Sequence, residues 1–177
     1  MRWNRVTAIG IAMVIVSGSL TAQAANVKST TTPTTTPTTT PTTPRIVFVC
    51  EHGTVKSLVA LELFNRLAAA RRLRAEASSR GTRPDSQVPS VVRTGLESDG
   101  FDVRLFRAQL FTRRDVARGA LVVALDADVD SVVAGRATVV RWDGLPSVIA
   151  DYAGARTAIA SRVQRLVDSL VAVKRRR

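Results

Sequence analysis

The chain has 177 residues, with 26 Lys and Arg against 14 Asp and Glu, a formal net charge of +12 and one cysteine. A single Cys excludes an intramolecular disulfide and any relay of a disulfide between cysteines of the same chain. The basic balance invites a nucleic-acid partner, but aromatics are few and no helix-turn-helix or base-stacking motif accompanies it. Arginine-rich solvated surface is the reading preferred, compatible with anionic cell-surface polymers or acidic phosphoproteins.

Residues 1–25 have the layout of a targeting segment. Arg2 and Arg5 give a positive start, Val6 to Val16 is mostly apolar, and Ala22-Gln23-Ala24 is a small-x-small cleavage site. The apolar run is shorter than the roughly 20 residues of a spanning helix. A cleaved signal is therefore expected, with export to a periplasmic or extracellular space; a membrane contact is expected only if the leader is retained. Export also removes nucleic acid as a partner.

Residues 26–44 form a linker of Thr-Thr-Thr-Pro repeats with prolines at 33, 37, 41 and 44. It has almost nothing to bury and cannot offset its ordering entropy. Regular Pro favours an extended tether of about 3.1 Å per residue. Such tracts are also common sites of O-glycosylation in secreted proteins. Arg2, Arg5 and Lys28 are the only charges before Arg45, so most of the excess lies on residues 45–177, enough for one domain with its own core.

That domain opens with Ile46-Val-Phe-Val49, a continuous apolar run expected of a parallel strand covered on both faces. After a short loop, Leu58, Leu61, Leu63, Phe64 and Leu67 recur at helical spacing. Cys50 stands where the strand ends. The carboxyl edge of an open α/β sheet is where ligands bind, and a loop entering a helix amino terminus points unpaired N–H groups at one spot. Such a field favours thiolate over thiol. A lone Cys at a strand end is more often a small buried hydrophobe. Cys50, however, leads into a loop with a cation, Lys56, and then Ser57.

Cys50-Glu51-His52-Gly53-Thr54-Val55-Lys56-Ser57 resembles the active-site loop of low-molecular-weight protein tyrosine phosphatases and of the arsenate reductases that share their fold. That family reads Cys, five residues, Arg, then Ser or Thr. The resemblance makes Cys50 the nucleophile, Ser57 the hydroxyl supporting its thiolate, and Glu51 to Ser57 the phosphate-binding loop. His52 resembles the His-Asn form of the loop in some arsenate reductases. Lys56 stands in place of the Arg. An ammonium is a point charge and lacks the planar fork that grips two phosphoryl oxygens.

A second strand is expected over 72–79. Ser78-Ser-Arg-Gly-Thr82 then resembles the Ser-Ala-Gly-Thr segment of the family, and Gly81 also suits a tight turn. Val88, Val91, Val92 and Leu96 make a helical stripe closed by Gly100. Phe101-Asp-Val103-Arg-Leu105 alternates as a short strand, and Thr112 suits the cap of a helix over 113–118. Ala120 to Leu125 reads as a buried strand. Asp126-Ala-Asp128-Val-Asp130 resembles the start of a calcium loop but lacks the Gly and Glu such a loop needs, so a capped helix start is preferred.

Residues 137–142 read as the last strand. In the family the loop after it holds an Asp-Pro pair whose acid protonates the leaving oxygen. Here that dipeptide is absent. Asp143 is the nearest carboxyl, Asp151 the second, and Ser147 follows Pro146 at the family's aspartate position. Asp143 reads equally as a turn former before Gly144. Residues 151–173 read as a closing helix with Ala155, Ile159, Val163, Leu166, Val167 and Leu170 on one face.

The element order predicts a three-layer α/β domain: an open parallel sheet of four to five strands, near 45–50, 72–79, 101–105, 119–125 and 137–142, with helices on both faces. The resemblance implies hydrolysis of phosphomonoesters, with phosphotyrosine among them, through a cysteinyl phosphate, with Cys50, Lys56, Ser57 and Asp143 as the catalytic set. No metal or organic cofactor is implied. The partner is a phosphorylated small molecule or phosphoprotein, with inorganic phosphate or arsenate as loop ligand. The alternatives are an oxyanion-binding module without turnover and an arsenate reductase using an external thiol.

Overall fold

A computed structural model describes residues 43–116 and 119–176. The leader and all but the end of the Thr/Pro tether lie outside the described residues. Four strands and four helices follow in the order β1 Arg45–Cys50, α1 Lys56–Ala70, β2 Glu76–Gly81, α2 Ser90–Ser98, β3 Ala120–Leu125, α3 Asp130–Val133, β4 Thr138–Trp142 and α4 Tyr152–Arg175. The sheet is parallel throughout, ordered β2-β1-β3-β4, with Val47 opposite Ser78 on one side and Val122 on the other. No helix of the described residues is long and apolar enough to cross a membrane.

β1 is apolar at consecutive positions because its two faces enter two separate cores. Side chains alternate along a strand. Ile46, Phe48 and Cys50 pack with α1, α2 and α4, through Phe64, Val92, Ile159 and Val163. Val47 and Val49 face the other layer, with Phe111, Val116, Val129 and Val133. Phe48 is tilted against Phe64 and Trp142 at ring-centroid distances of 5.6 and 5.9 Å, a favoured aromatic geometry. α4 buries Ala155, Ile159, Val163, Leu166 and Val167, with Leu170 half-buried at the same stripe.

Two expected strands are corrected, for one physical reason. α1 ends in a Schellman motif: Arg72 takes a φ of 51°, its N–H donates to Ala69 O, and Leu73 N–H donates to Ala68 O. Leu73 is therefore the apolar residue that closes a helix cap, and β2 starts later, at Glu76. α2 ends the same way. Gly100 has a φ of 83°, and Phe101 N–H donates to Leu96 O. Residues 101–105 form no strand. The Asp102 carboxylate takes the Arg104 N–H, and Val103 O takes the Phe106 N–H, so local bonds replace a ladder. Val103 points inward while Leu105 is 88% exposed. The sheet has four strands, extended at the β2 edge only by a bridge between Gly81 and Leu110.

The helix expected over 113–118 is a turn as far as residue 116, and the next two residues lie outside the described set. Asp115 organises that turn, accepting from Thr112 N–H, Thr112 Oγ1 and Arg80 Nε. The three carboxylates of 126–130 separate rather than converge. Asp126 faces Lys56, Asp128 takes the Asp130 N–H, and Asp130 pairs with Arg141.

Candidate active site

Cys50 ends β1 with its sulfur at the interior edge of a short loop, and the residue is 3% exposed. Two donors converge on Sγ: the Gly53 N–H at 3.2 Å and the Ser57 hydroxyl at 3.0 Å. Ser57, fully buried in the first turn of α1, has Ser79 Oγ behind it at 2.8 Å. Ser79 has one proton and two acceptors in reach, Ser57 Oγ and Gly53 O, each at 2.8 Å. With the Ser79 proton on Ser57 Oγ, the Ser57 hydroxyl is free to donate to the sulfur; with it on Gly53 O, that carbonyl is satisfied instead.

The loop around the sulfur turns its carbonyls outward. Cys50 O, Glu51 O and His52 O accept the N–H groups of Thr82, Arg83 and Asp85, while Gly53 O faces Ser79 Oγ and Val55 O takes the Val59 N–H. The N–H groups of Glu51, His52, Thr54, Val55, Lys56 and Ser57 have no acceptor among the described residues. Backbone N–H groups seek acceptors, and these unpaired ones lie on the loop that runs from Cys50 into the amino terminus of α1, where the helix dipole favours negative charge, an arrangement suited to cradling a tetrahedral oxyanion.

The cradle is held from below. Gly53 needs its φ of 70° to make the turn, and it lies back to back with Gly81. A Cβ on Gly81 would stand 2.9 Å from Glu51 O and Gly53 N, which explains glycine at the end of β2. Asp85 braces the middle of the loop, its two oxygens each 3.2 Å from His52 Nδ1 and Thr54 Oγ1. Glu51 pairs with Arg83. Thus Glu51, His52 and Thr54 serve the loop with their amides while their side chains tie it to the β2–α2 connection.

Lys56 begins α1 and is engaged elsewhere than across the loop. Its Nζ lies 2.5 Å from Asp126 Oδ2 and donates to Leu145 O at 3.3 Å. Asp126 also accepts from Gly144 N–H at 2.7 Å and Leu145 N–H at 3.2 Å. Burial pushes this carboxyl up; the Lys56 ammonium and the two backbone donors outweigh it and hold it below the ordinary carboxylate range.

A cavity of about 280 Å³ joins these parts, with Cys50, Glu51, Lys56, Asp126, Ser147 and Ile149 in its wall. Asp143 is not in that wall; its backbone carbonyl accepts from Arg162, and its residue is exposed. Asp151 caps α4 through the Gly154 N–H at 2.9 Å. Ser147 does line the cavity. The structure therefore brings together Cys50, the loop, Lys56, Ser57 and Ser147, and leaves both candidate acids outside. It adds three residues that the sequence pattern does not assign to the site. Ser79 carries a signal, in the segment around Gly81. Asp126 is visible only as part of an acidic triplet. Asp85 has none, because its role depends on contacts across 31 and 33 positions.

Residues 45–141 match the family described as low molecular weight phosphotyrosine protein phosphatase. No curated protein sequence matches the chain. Among solved structures, an arginine phosphatase from Geobacillus stearothermophilus is 19% identical with a TM-score of 0.61, over 74% of this chain and 95% of the other. A tyrosine phosphatase from Escherichia coli K30, solved with sulphate, is 14% identical with a TM-score of 0.58, over 73% and 99%. A thioredoxin-dependent arsenate reductase from Corynebacterium glutamicum is 20% identical with a TM-score of 0.59, over 75% of this chain and 64% of the reductase, so this chain spans less than two thirds of its length. At these identities the structural likeness establishes the fold alone. The sequence match covers more than half of the chain, and the protein belongs to the low molecular weight phosphotyrosine protein phosphatase family.

Proposed function

We propose that this protein is an exported phosphatase-like hydrolase that takes a phosphomonoester into the Cys50 loop. The observation that carries the reading is the Cys50 loop: its sulfur accepts from the Gly53 N–H beside Ser57 Oγ, and six further loop N–H groups have no acceptor among the described residues. The loop supplies donors for the equatorial oxygens of a phosphoryl group, stabilising charge where it develops. Cys50 attacks phosphorus in line; an S–P bond forms and the P–O bond to the leaving group breaks. Water then attacks phosphorus, expels the thiolate and loses its proton to solvent. Ser57 supports the sulfur in both steps, and Ser79 orients Ser57. The chemistry draws on side chains and backbone alone.

The leaving oxygen needs a proton when it departs as an alkoxide or a basic phenoxide. Among the described residues two carboxyls line the cavity: Glu51, which pairs with Arg83, and Asp126, which Lys56 and two amides hold as an anion. Asp143 is outside. The substrate class favoured is therefore an ester whose alcohol leaves unaided, such as an acidic phenol. The test is a series of aryl phosphates spanning phenol acidity. A steep rise of kcat/KM with phenol acidity supports the reading, and a flat series contradicts it by revealing an acid.

A second reading rests on the Lys56–Asp126 contact at 2.5 Å. With its only loop cation drawn to a carboxylate, the domain would retain an oxyanion without turning it over. Phosphate that raises the melting temperature of a protein silent on every aryl phosphate would favour this module. Arsenate is the same shape and charge class as phosphate and would enter the same cradle, with an external thiol as reductant. Export rests on the leader and tether; a secreted amino terminus near residue 26 supports it, and a chain retained whole in the cytoplasm contradicts it.

A further inference from the structure

We propose a second anion-binding site, for a tetrahedral dianion of the phosphate or sulfate type, in the cleft between residues 86–88, α2 and the turn at 103–107. The cleft has a volume of about 330 Å³, and Ser86, Gln87, Arg93, Arg104, Phe106 and Arg107 form most of its wall. Three arginines line it, and they are not equivalent. Arg104 is balanced by Asp102, which it grips with Nε at 2.9 Å and Nη2 at 2.7 Å. Arg93 and Arg107 are anchored on neutral groups instead. Arg93 Nη2 donates to Val88 O at 3.3 Å. Arg107 Nη1 donates to Phe106 O at 2.8 Å and Arg104 O at 3.3 Å.

Neither Arg93 nor Arg107 pairs with a carboxylate among the described residues, and of the arginines without such a pair these two line the same cleft. Each therefore keeps its full charge and most of its five donors while its side chain is already held in place. Two cations lining one cleft without a carboxylate partner repel, and an anion bound in the cleft would reduce that cost and gain charge-assisted hydrogen bonds. The Ser86 hydroxyl and Gln87 amide add neutral donors of the kind that complete the shell of a tetrahedral anion.

The position links this site to the reactive loop without being part of it. Ser86 follows Asp85, whose carboxylate braces His52 and Thr54. Arg107 precedes Ala108, whose Cβ lies 3.1 Å from where a side chain on Gly53 would begin. Both walls of the cleft are thus one residue from supports of the cradle. Two sources would supply the dianion: free inorganic phosphate, or a second phosphate carried by the same substrate.

The test tracks backbone amide resonances of the full chain during titration with inorganic phosphate, in the wild type and in Arg93→Gln/Arg107→Gln. Saturable shifts at 86–93 and 103–107, weakened at least about tenfold in the double variant while shifts at 51–57 persist, are expected. Shifts confined to 51–57 in the wild type, or unchanged binding at 86–107 in the double variant, overturn the proposal. The readouts are separate, so a loop that binds nothing leaves the cleft result standing. A peptide with two phosphates that binds the wild type at least about tenfold more tightly than its monophosphate, an advantage lost in the double variant, assigns the dianion to the substrate. Equal affinities with phosphate shifts at the cleft assign it to the free ion. Both substitutions are at exposed positions, and an unchanged melting temperature confirms that the fold is intact.

Discussion

The loop after β1 and the loop after β4 face each other across one cavity, and they are built to different standards. In the first, the carbonyls of Cys50, Glu51 and His52 accept backbone N–H groups from outside, Gly53 O lies within reach of Ser79 Oγ, a glycine pair permits the close approach, and Asp85 holds the side chains of His52 and Thr54. In the second, Leu145, Ser147, Val148 and Ile149 line the cavity, Asp143 does not, and Asp126, just past β3, holds Gly144 and Leu145 by their N–H groups. On the proposed reading, the first loop is the half that takes an anion and carries the nucleophile, and the second, where a leaving group would be protonated, presents the Ser147 hydroxyl to the cavity. The first step of the chemistry is therefore proposed on firmer ground than the choice of substrate.

The contrast is broken most severely at the sulfur. Cys50→Ser is expected to reduce aryl phosphate hydrolysis to background while phosphate still raises the melting temperature, measured by initial rates and thermal unfolding. Supplying the missing acid comes next. Ser147→Asp is expected to raise kcat/KM on esters of weakly acidic phenols by about 10²-fold or more, the lower range for general acid catalysis, with little change for the most acidic phenols. No gain on any ester would show that the second loop is not where the proton is needed.

Gly81→Ala tests the scaffold under the loop. Its Cβ would press on backbone atoms at 2.9 Å, and overpacking of this kind costs about 1–3 kcal/mol. Denaturant unfolding reads the loss, and the same variant is expected to weaken phosphate binding because Glu51 and Gly53 must move. Ser79→Ala leaves the Gly53 N–H and Ser57 Oγ at the sulfur and removes the hydroxyl that lies behind Ser57 and faces Gly53 O. A several-fold drop in kcat with KM nearly unchanged is expected, on the order of one neutral hydrogen bond.

Acid titration gives the smallest effect. The Asp126 carboxyl is lowered in the folded protein, so the unfolded chain binds the proton more tightly. Its contribution to stability is full above the unfolded carboxylate value, about 3.9, and fades as pH falls through the lower folded one. Asp126→Asn is expected to flatten the acid limb of the stability–pH curve, measured by urea unfolding across that range.

Much of this architecture is legible in residue order. Ile46 to Val49 announces a strand buried on both faces, and the stripe from Ala155 to Val167 announces the closing helix. The two misread strands share an origin. Leu73 and Phe101 are apolar residues just past a helix end, where the Schellman cap needs a hydrophobic contact, and each imitates the first residue of a strand. Gly100 shows the end of α2 plainly, whereas Arg72 takes a left-handed conformation that its side chain does not advertise. At the site, Cys50, Lys56 and Ser57 are legible because they lie within eight consecutive residues. Asp85 and Asp126 are not, because their partners are distant in the chain and their types suit turns and caps equally well.

Rapid acid quenching of the wild-type protein during turnover of an aryl phosphate, followed by mass spectrometry of its peptides, tests the nucleophile directly. The peptide containing Cys50 should carry one phosphoryl group, absent from Cys50→Ser. An unmodified Cys50 peptide under turnover, or a phosphoryl group on any other residue, would contradict the assignment of the sulfur as the attacking atom.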